Sequence, residues 1–86
     1  MLPFIELQFI QLLGQSSVPR KHYDKWLTVF DKLSPTQRIQ LIQLFEHQPE
    51  VIHHFLEIVL KKADALQKKV KDFHEIVAAE MRVFSH

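Results

Sequence analysis

The sequence contains no cysteine and only one glycine among its 86 residues. The lack of cysteine excludes a disulfide framework, a thiol nucleophile and a thiolate zinc site. A single glycine is too few for a glycine-rich phosphate loop. Strong charge of either sign is also missing, because 11 Lys and Arg residues face 10 acidic ones. No global field therefore attracts nucleic acid or an anionic membrane.

Long hydrophobic runs are absent as well. No stretch approaches the roughly 18 uninterrupted apolar residues of a membrane-spanning helix. Residues 1–13 have the hydrophobicity of a signal-peptide core, but they lack a basic flank, and Glu6, Gln8 and Gln11 interrupt them. No small-residue cleavage site follows. We therefore expect no leader, no membrane span and a cytoplasmic location.

The apolar content is 47%, which is typical of a globular chain and argues against disorder. The length suits one domain. Four prolines, Pro3, Pro19, Pro35 and Pro49, each precede an apolar pattern of helical period. Proline is favoured in the first turn of a helix. No alternating pattern with turn signals predicts a strand, so the fold class is all-α.

The helix boundaries follow from caps. Ser34 with Gln37 matches a capping box, and Gly14 suits a left-handed C-cap. The patterns predict helices over about 3–13, 19–33, 35–47 and 49–84. The first and third helices are apolar over most of their circumference, which is difficult to satisfy within so small a monomer.

The fourth pattern predicts one long amphipathic helix. Its apolar side chains keep one phase, within a sector roughly 100° wide, through the whole segment. The members of this apolar stripe are Ile52, Phe55, Leu56, Val59, Ala63, Leu66, Val70, Phe73, Val77, Met81 and Phe84. Spacings of eleven residues recur, as from Phe55 to Leu66 to Val77. Such a period favours a straight, continuous helix.

The length of that helix predicts a projecting arm. At 1.5 Å per residue the stripe runs on the order of 50 Å, about twice the length of each earlier helix. We therefore expect three short helices packed on one long C-terminal helix, with a compact bundle over 1–60 and a helical arm over 61–86. The predicted partner-binding residues are Leu66, Val70, Phe73, Val77, Met81 and Phe84. The alternative is that the expected main contacts, Phe73, Val77, Met81 and Phe84, pack on the first helix of their own chain.

Nucleic-acid binding is the competing interpretation. Residues 33–55 can be interpreted as a helix-turn-helix, but its second helix presents Glu50, His53, His54 and Glu57, and the acids oppose binding to phosphates. The main basic cluster is Lys61, Lys62, Lys68, Lys69 and Lys71, with a smaller patch at Arg20 and Lys21. Because Asp64 and Asp72 dilute the larger cluster, nucleic acid is the less favoured partner.

Metal and catalytic patterns are weak. Glu50 and His53 have the Glu-x-x-His spacing of di-metal bundles, but a second motif is missing. His74-Glu75 begins like a zincin helix, yet Ala78 stands where the second ligand belongs. Over residues 49–86 six basic residues face six acidic ones, so an anionic membrane surface gains little.

The sequence therefore predicts a non-enzymatic helical module for protein–protein interaction or oligomerisation. It uses the apolar stripe of the long C-terminal helix, needs no cofactor or metal, and forms a homo-oligomer, a dimer in the simplest case, or binds a helical protein partner. The alternative is a helix-turn-helix-like nucleic-acid binder that uses Lys61 to Lys71.

Overall fold

The computed structural model describes residues 4–16 and 18–84, and within these ranges the chain is helical without any strand. Five α-helices follow one another: α1 (Phe4–Gly14), α2 (Tyr23–Lys32), α3 (Pro35–His47), α4 (Ile52–Ala65) and α5 (Phe73–Phe84). Short 3₁₀ turns at Arg20–His22, Pro49–Val51 and Val70–Asp72 lead into α2, α4 and α5. The predicted all-α class is confirmed.

The start of α3 follows from its sequence. The Ser34 hydroxyl accepts a hydrogen bond from the Gln37 backbone N–H at 3.2 Å, and the Gln37 side chain accepts one from the Ser34 N–H at 3.0 Å. This confirms the predicted capping box, with Pro35 in the first turn. Pro49 opens its 3₁₀ turn in the same way, whereas Pro19 lies just outside the turn that it precedes. Pro3 lies outside the described residues.

The prediction of one long fourth helix is wrong. Helix α4 ends at Ala65, where the Lys68 N–H donates to the Ala63 carbonyl at 2.8 Å and the Gln67 N–H donates to the Asp64 carbonyl at 3.1 Å. These two bonds form a Schellman motif, with Gln67 in the left-handed conformation at φ 55°. The arrangement of three short helices on one long helix is therefore replaced by five helices.

Helices α4 and α5 form an antiparallel hairpin. The ring of Phe84, at the end of α5, lies 5.2 Å from the ring of Phe55 in the first turn of α4. Nearer the turn, the Lys62 ammonium contacts the Glu80 carboxylate. The predicted arm therefore packs on α4 and does not project. Apolar contact with α4 replaces the backbone bonds that a continuous helix would make.

The core joins all five helices. Phe9 of α1 stacks on Phe30 of α2 at 4.3 Å between ring centroids, and Trp26 of α2 lies 6.3 Å from Phe73 of α5. Phe45 of α3 meets Phe55 edge-on at 5.5 Å. One cluster of buried residues includes these rings, so the predicted bundle over 1–60 and the predicted arm over 61–86 contribute to a shared core.

A second link holds the corner between α2 and α3. The Arg38 Nε donates to the Phe30 carbonyl at 3.0 Å, and its Nη2 donates to the Asp31 carbonyl. These carbonyls lie in the last turn of α2, where the usual helical N–H partners are missing, although the Phe30 carbonyl also accepts a hydrogen bond from the Leu33 N–H at 3.1 Å. The guanidinium also lies 5.9 Å from the centre of the Phe30 ring. A cation at a helix C-terminus is favourable as well, so Arg38 fixes α3 against α2.

The only glycine does not have the role predicted for it. Gly14 ends α1 with an ordinary negative φ, so the predicted left-handed cap at this position is wrong. The Ser16 hydroxyl instead donates to the Leu13 carbonyl at 2.7 Å and closes the end of the helix. Among the described residues, the left-handed position is occupied by Gln67.

Candidate protein interface

The six residues predicted to bind a partner lie in different environments. Phe73, Val77 and Met81 belong to the core, with 6%, 1% and 5% of their surfaces exposed. Val70 and Phe84 are partly buried and pack against that core. Leu66, at the turn after α4, is 61% exposed. The structure thus brings most of the six together around the α4–α5 hairpin, and their contact with a partner stays a prediction.

Exposed apolar side chains concentrate on the first and third helices. Among the described residues, five large apolar side chains are exposed: Phe4 (76%), Leu7 (44%), Ile39 (49%), Leu66 (61%) and Val83 (64%). Scattered single residues of this kind are ordinary on a protein surface. Three of the five, however, lie on α1 and α3, which pack against each other.

The geometry of α1 and α3 places those three side chains on one side of the molecule. The two helices run in the same direction, because Glu6 lies near Arg38 at the start of α3 and Gln15 lies near Glu46 at its end. Gln11 and Glu46 border a shallow groove of about 220 Å³ between the helices. Phe4 lies seven residues, or about two helical turns, before Gln11, and Ile39 lies seven residues before Glu46. Phe4 and Ile39 therefore lie on the same sides of their helices as the two groove residues.

We name this surface the α1–α3 flank and define it by Phe4, Leu7, Gln11 and Ile39. Leu7 and Gln11 follow Phe4 on successive turns of α1, and all four residues are exposed. The flank is poor in charge, since Glu6 is the only charged residue within α1. Depletion of charge is typical of the centres of protein interfaces. The all-round apolarity of the first helix is a signal of this surface, but it does not indicate which side of the helix stays exposed.

Two acids meet beside the flank. A side-chain hydrogen bond to Asp31 raises the pKa of the Glu6 carboxyl above its ordinary value, and desolvation and the negative charge of Asp31 add to the shift. The positive charge of Arg38 acts against it. Two carboxyl groups that share a hydrogen bond need a proton between them. The contact between α1 and the end of α2 is therefore sensitive to pH.

A buried acid lies at the α4–α5 hairpin. Glu80 is only 3% exposed, and its carboxylate contacts the ammonium of Lys62, whose side chain is 54% exposed. Burial of a carboxylate is costly unless a cation and hydrogen bonds compensate for it. Lys62 therefore extends along the outside of α4 to compensate the charge of Glu80, and the pair fixes the relative position of the two helices.

The predicted basic cluster lies at one end of the molecule. Lys61 is exposed in the last turns of α4, and Lys68, Lys69 and Lys71 are exposed in the connection that follows. Lys62 contacts Glu80, and the Lys68 ammonium lies 3.8 Å from the Glu75 carboxylate. Part of the positive charge is therefore paired within the chain.

The helix-turn-helix interpretation and the metal interpretation concern the start of α4. Here His53 lies 3.8 Å from Glu57, both half exposed, whereas the His54 ring lies 6.5 Å from the Phe84 ring. Within residues 4–16 and 18–84, no three His, Cys, Asp or Glu side chains are grouped as a metal site would require. The exposed side of α4 thus presents an acid beside histidines, as the sequence predicted.

A second groove separates α3 from α5. It has a volume of about 600 Å³ and is lined mainly by glutamines of α3, with Arg82 and Phe84 on the α5 side. No signal in the sequence indicates this groove, because its residues belong to helices that are far apart in the chain. The groove is open and combines polar with apolar side chains, and its residues do not converge on one ligand chemistry.

Comparisons with known proteins identify no relative. No protein-family model, no curated protein and no solved structure matches this chain. Of the helices in the described part of the chain, none has the length and apolarity required to cross a membrane.

The Glu6–Asp31 contact predicts a pH dependence. The raised pKa means that, between the unfolded and folded pKa values of Glu6, the folded state binds more protons, so this group's stabilisation is lost as the pH rises. Glu6→Gln removes the titration and donates a hydrogen bond to Asp31 at every pH. We expect the stability of the variant relative to the wild type to increase from about pH 4 to pH 7.

Urea unfolding at both pH values measures this difference. Glu46→Gln, an exposed substitution on α3, is the control and should show a smaller change with pH. A pH-independent difference between Glu6→Gln and the wild type would contradict the assignment.

The Lys62–Glu80 contact predicts unequal costs for its two halves. Lys62→Met leaves the buried carboxylate without its cation and should lower the free energy of unfolding by about 1–3 kcal/mol. Glu80→Gln leaves a half-exposed ammonium that water can solvate, so it should cost less. Denaturant unfolding of both variants measures the order. Equal losses, or a larger loss for Glu80→Gln, would show that the pair does not stabilise the hairpin in this way.

Proposed function

We propose that the chain is a non-enzymatic protein-interaction module that associates with a second copy of itself through the α1–α3 flank. The observation that carries the proposal is the exposure of Phe4, Leu7 and Ile39 on one charge-poor side of the molecule. The apolarity of the first helix exceeds what the monomer buries, and a partner would bury the remainder.

The charge of the flank favours a second copy as the partner. A surface that is poor in charge offers little electrostatic complement to an acidic or basic partner, but it is compatible with itself. Most soluble oligomers use the same surface on both subunits around a two-fold axis. Two helices from each copy would then meet in an antiparallel arrangement, with the glutamines at the rim. Another protein with an apolar helical surface is the second type of partner that the flank fits.

The expected affinity is modest. Complete burial of one large apolar side chain contributes about 1.5–3 kcal/mol, and three such side chains in each copy contribute together. Association costs an estimated 4–15 kcal/mol in lost rotational and translational freedom and in ordering of side chains. Because these two ranges overlap and the side chains are already partly buried, the net gain is small, and we expect a dimer that dissociates in the micromolar to millimolar range.

Light scattering over a wide concentration range tests the proposal. We expect the wild type to dimerise and the double variant Leu7→Glu, Ile39→Glu to raise the dissociation constant at least about tenfold, because two apolar contacts in each copy are replaced by like charges. Both positions are exposed, so circular dichroism should show unchanged helix content.

The control is Val83→Glu, which places one such charge on a more exposed apolar residue of α5 outside the flank. This variant should dimerise like the wild type. A wild type that stays monomeric at millimolar concentration, or a dimer that Val83→Glu weakens as much as the double variant does, would contradict the proposal.

The basic cluster supports a second candidate function, the binding of nucleic acid. The specific observation in its favour is that the end of α4 and the following connection place Lys61, Lys68, Lys69 and Lys71 at the same end of the molecule, all exposed. The pairing of Lys68 with Glu75 and the nearby Asp64 reduce its strength. We therefore rank it below protein interaction.

Salt dependence tests this second candidate. Four lysines that each neutralise a phosphate predict that the logarithm of the affinity for a short random-sequence DNA duplex falls with the logarithm of salt concentration with a slope of about −3 to −4. Replacing Lys68, Lys69 and Lys71 by Gln should reduce that slope, whereas the control replacements of Lys32 and Arg82, which are exposed outside both basic patches, should not. Absence of binding at low salt would exclude the function.

A further inference from the structure

The connection between α4 and α5, residues 66–72, contains neither proline nor glycine. Each of its residues is compatible with a helix. The chain nevertheless reverses here through Gln67, whose φ of 55° is disfavoured for every residue except glycine and, to a lesser degree, Asn and Asp. The turn is therefore closed against the local preference of its own sequence, and packing of α5 on the core holds it closed.

The apolar stripe keeps its phase across this turn. Phe55 of α4, Leu66 of the turn and Val77 of α5 are spaced by eleven residues, which is three turns of an α-helix. If residues 66–72 became helical, α4 and α5 would form one straight helix on the order of 50 Å long, with every stripe residue on the same side. The periodicity that predicted a continuous helix thus describes a second conformation available to the sequence.

Helix α5 can make the same contacts with the core of its own chain or with the core of a second copy. In the closed chain Phe73 packs near Trp26, Phe84 packs on Phe55, and Glu80 contacts Lys62. A second copy presents the same Trp26, Phe55 and Lys62. Exchange of α5 between two copies therefore preserves these contacts while it releases the turn.

We propose that two copies of the chain exchange α5: residues 66–72 become helical, α4 and α5 merge, and each α5 packs into the core of the other copy. Domain swapping of this kind is a low-cost route to a dimer, because both copies retain their native contacts. The partner-binding residues predicted from the sequence would then contact another chain, with Phe73, Val77 and Met81 buried in it.

The exchange also buries apolar surface that the closed chain leaves open. Leu66, now 61% exposed, and the partly buried Val70 lie in the middle of the merged stripe, where the two long helices cross. An opposing effect comes from Lys61, Lys68 and Lys69, which approach their counterparts at the crossing. Because salt screens such repulsion, the exchanged dimer should form more readily at high ionic strength.

This inference goes beyond the proposed function, since it concerns the turn and α5 and does not use the α1–α3 flank. The test compares two substitutions at one position. Gln67→Gly favours the left-handed turn and disfavours the merged helix in both copies, so it should raise the dimer dissociation constant by on the order of a hundredfold. Gln67→Ala favours the merged helix and should lower that constant by roughly a few-fold.

Each protein is refolded from urea at high concentration and measured by light scattering at low and high salt. Refolding is required because α5 must leave its own core before it enters another. We expect the dimer fraction to follow the order Gln67→Ala, wild type, Gln67→Gly. Dimer fractions that are the same for all three proteins would overturn the inference.

A charge-reversal pair distinguishes exchange from side-by-side association. Lys62→Glu and Glu80→Lys each place like charges together within a closed chain. In an equimolar mixture of the two variants, only exchange of α5 brings opposite charges together, so heterodimers should make up well over the half of all dimers that random pairing gives. Random pairing in the mixture would contradict exchange.

The two proposals fail separately. A dimer that Leu7→Glu with Ile39→Glu dissociates, but that does not respond to Gln67 substitutions, would support the flank and overturn the exchange of α5. A dimer that responds to Gln67 and not to the flank substitutions would do the reverse. Failure of every variant and of the wild type to dimerise would overturn both.

Discussion

The packing of α5 against α4 is the constraint on which the rest of the structure depends. It brings Phe73 to Trp26 and Phe84 to Phe55, and thereby closes a core that the first four helices leave open on one side. The cost is a left-handed Gln67 and a buried Glu80 that needs Lys62. Both costs are local, whereas the apolar burial extends over the whole length of α5 and favours the reversed chain.

The elements that could be predicted from the sequence are those set by neighbouring residues. Ser34 and Gln37 satisfy each other's backbone within one turn, so the start of α3 was predictable. The break after Ala65 was not, because the apolar phase continues through it and the left-handed residue is a glutamine. The sequence predicted a left-handed cap at Gly14 instead, but the Ser16 hydroxyl closes that helix. Residue type determines which backbone conformations a position can adopt, and tertiary packing determines where the chain adopts an unusual one.

The sequence predicted that some apolar surface would stay exposed, but it did not predict where on the molecule that surface lies. The all-round apolarity of the first helix indicated more apolar surface than a small monomer can bury. Which side stays exposed depends on the contact of α1 with both α2 and α3, and these contacts join distant parts of the chain. Phe9 is thus buried while Phe4 and Leu7 face outward. The environments of the six predicted partner-binding residues also depend on non-local contacts. Phe73, for example, packs near Trp26 of α2.

Arg38 has a consequence for the order in which the chain assembles. Its guanidinium joins α3 to carbonyls only seven and eight residues earlier, so the α2–α3 corner closes a short loop at small entropic cost. The pairing of Phe73 with Trp26 closes a far longer loop and is expected to form later. A chain emerging from the ribosome would therefore order its α2–α3 corner while the cleft for α5 is still vacant. On a polysome, where nascent copies lie close together, a neighbouring chain could supply the helix that fills it.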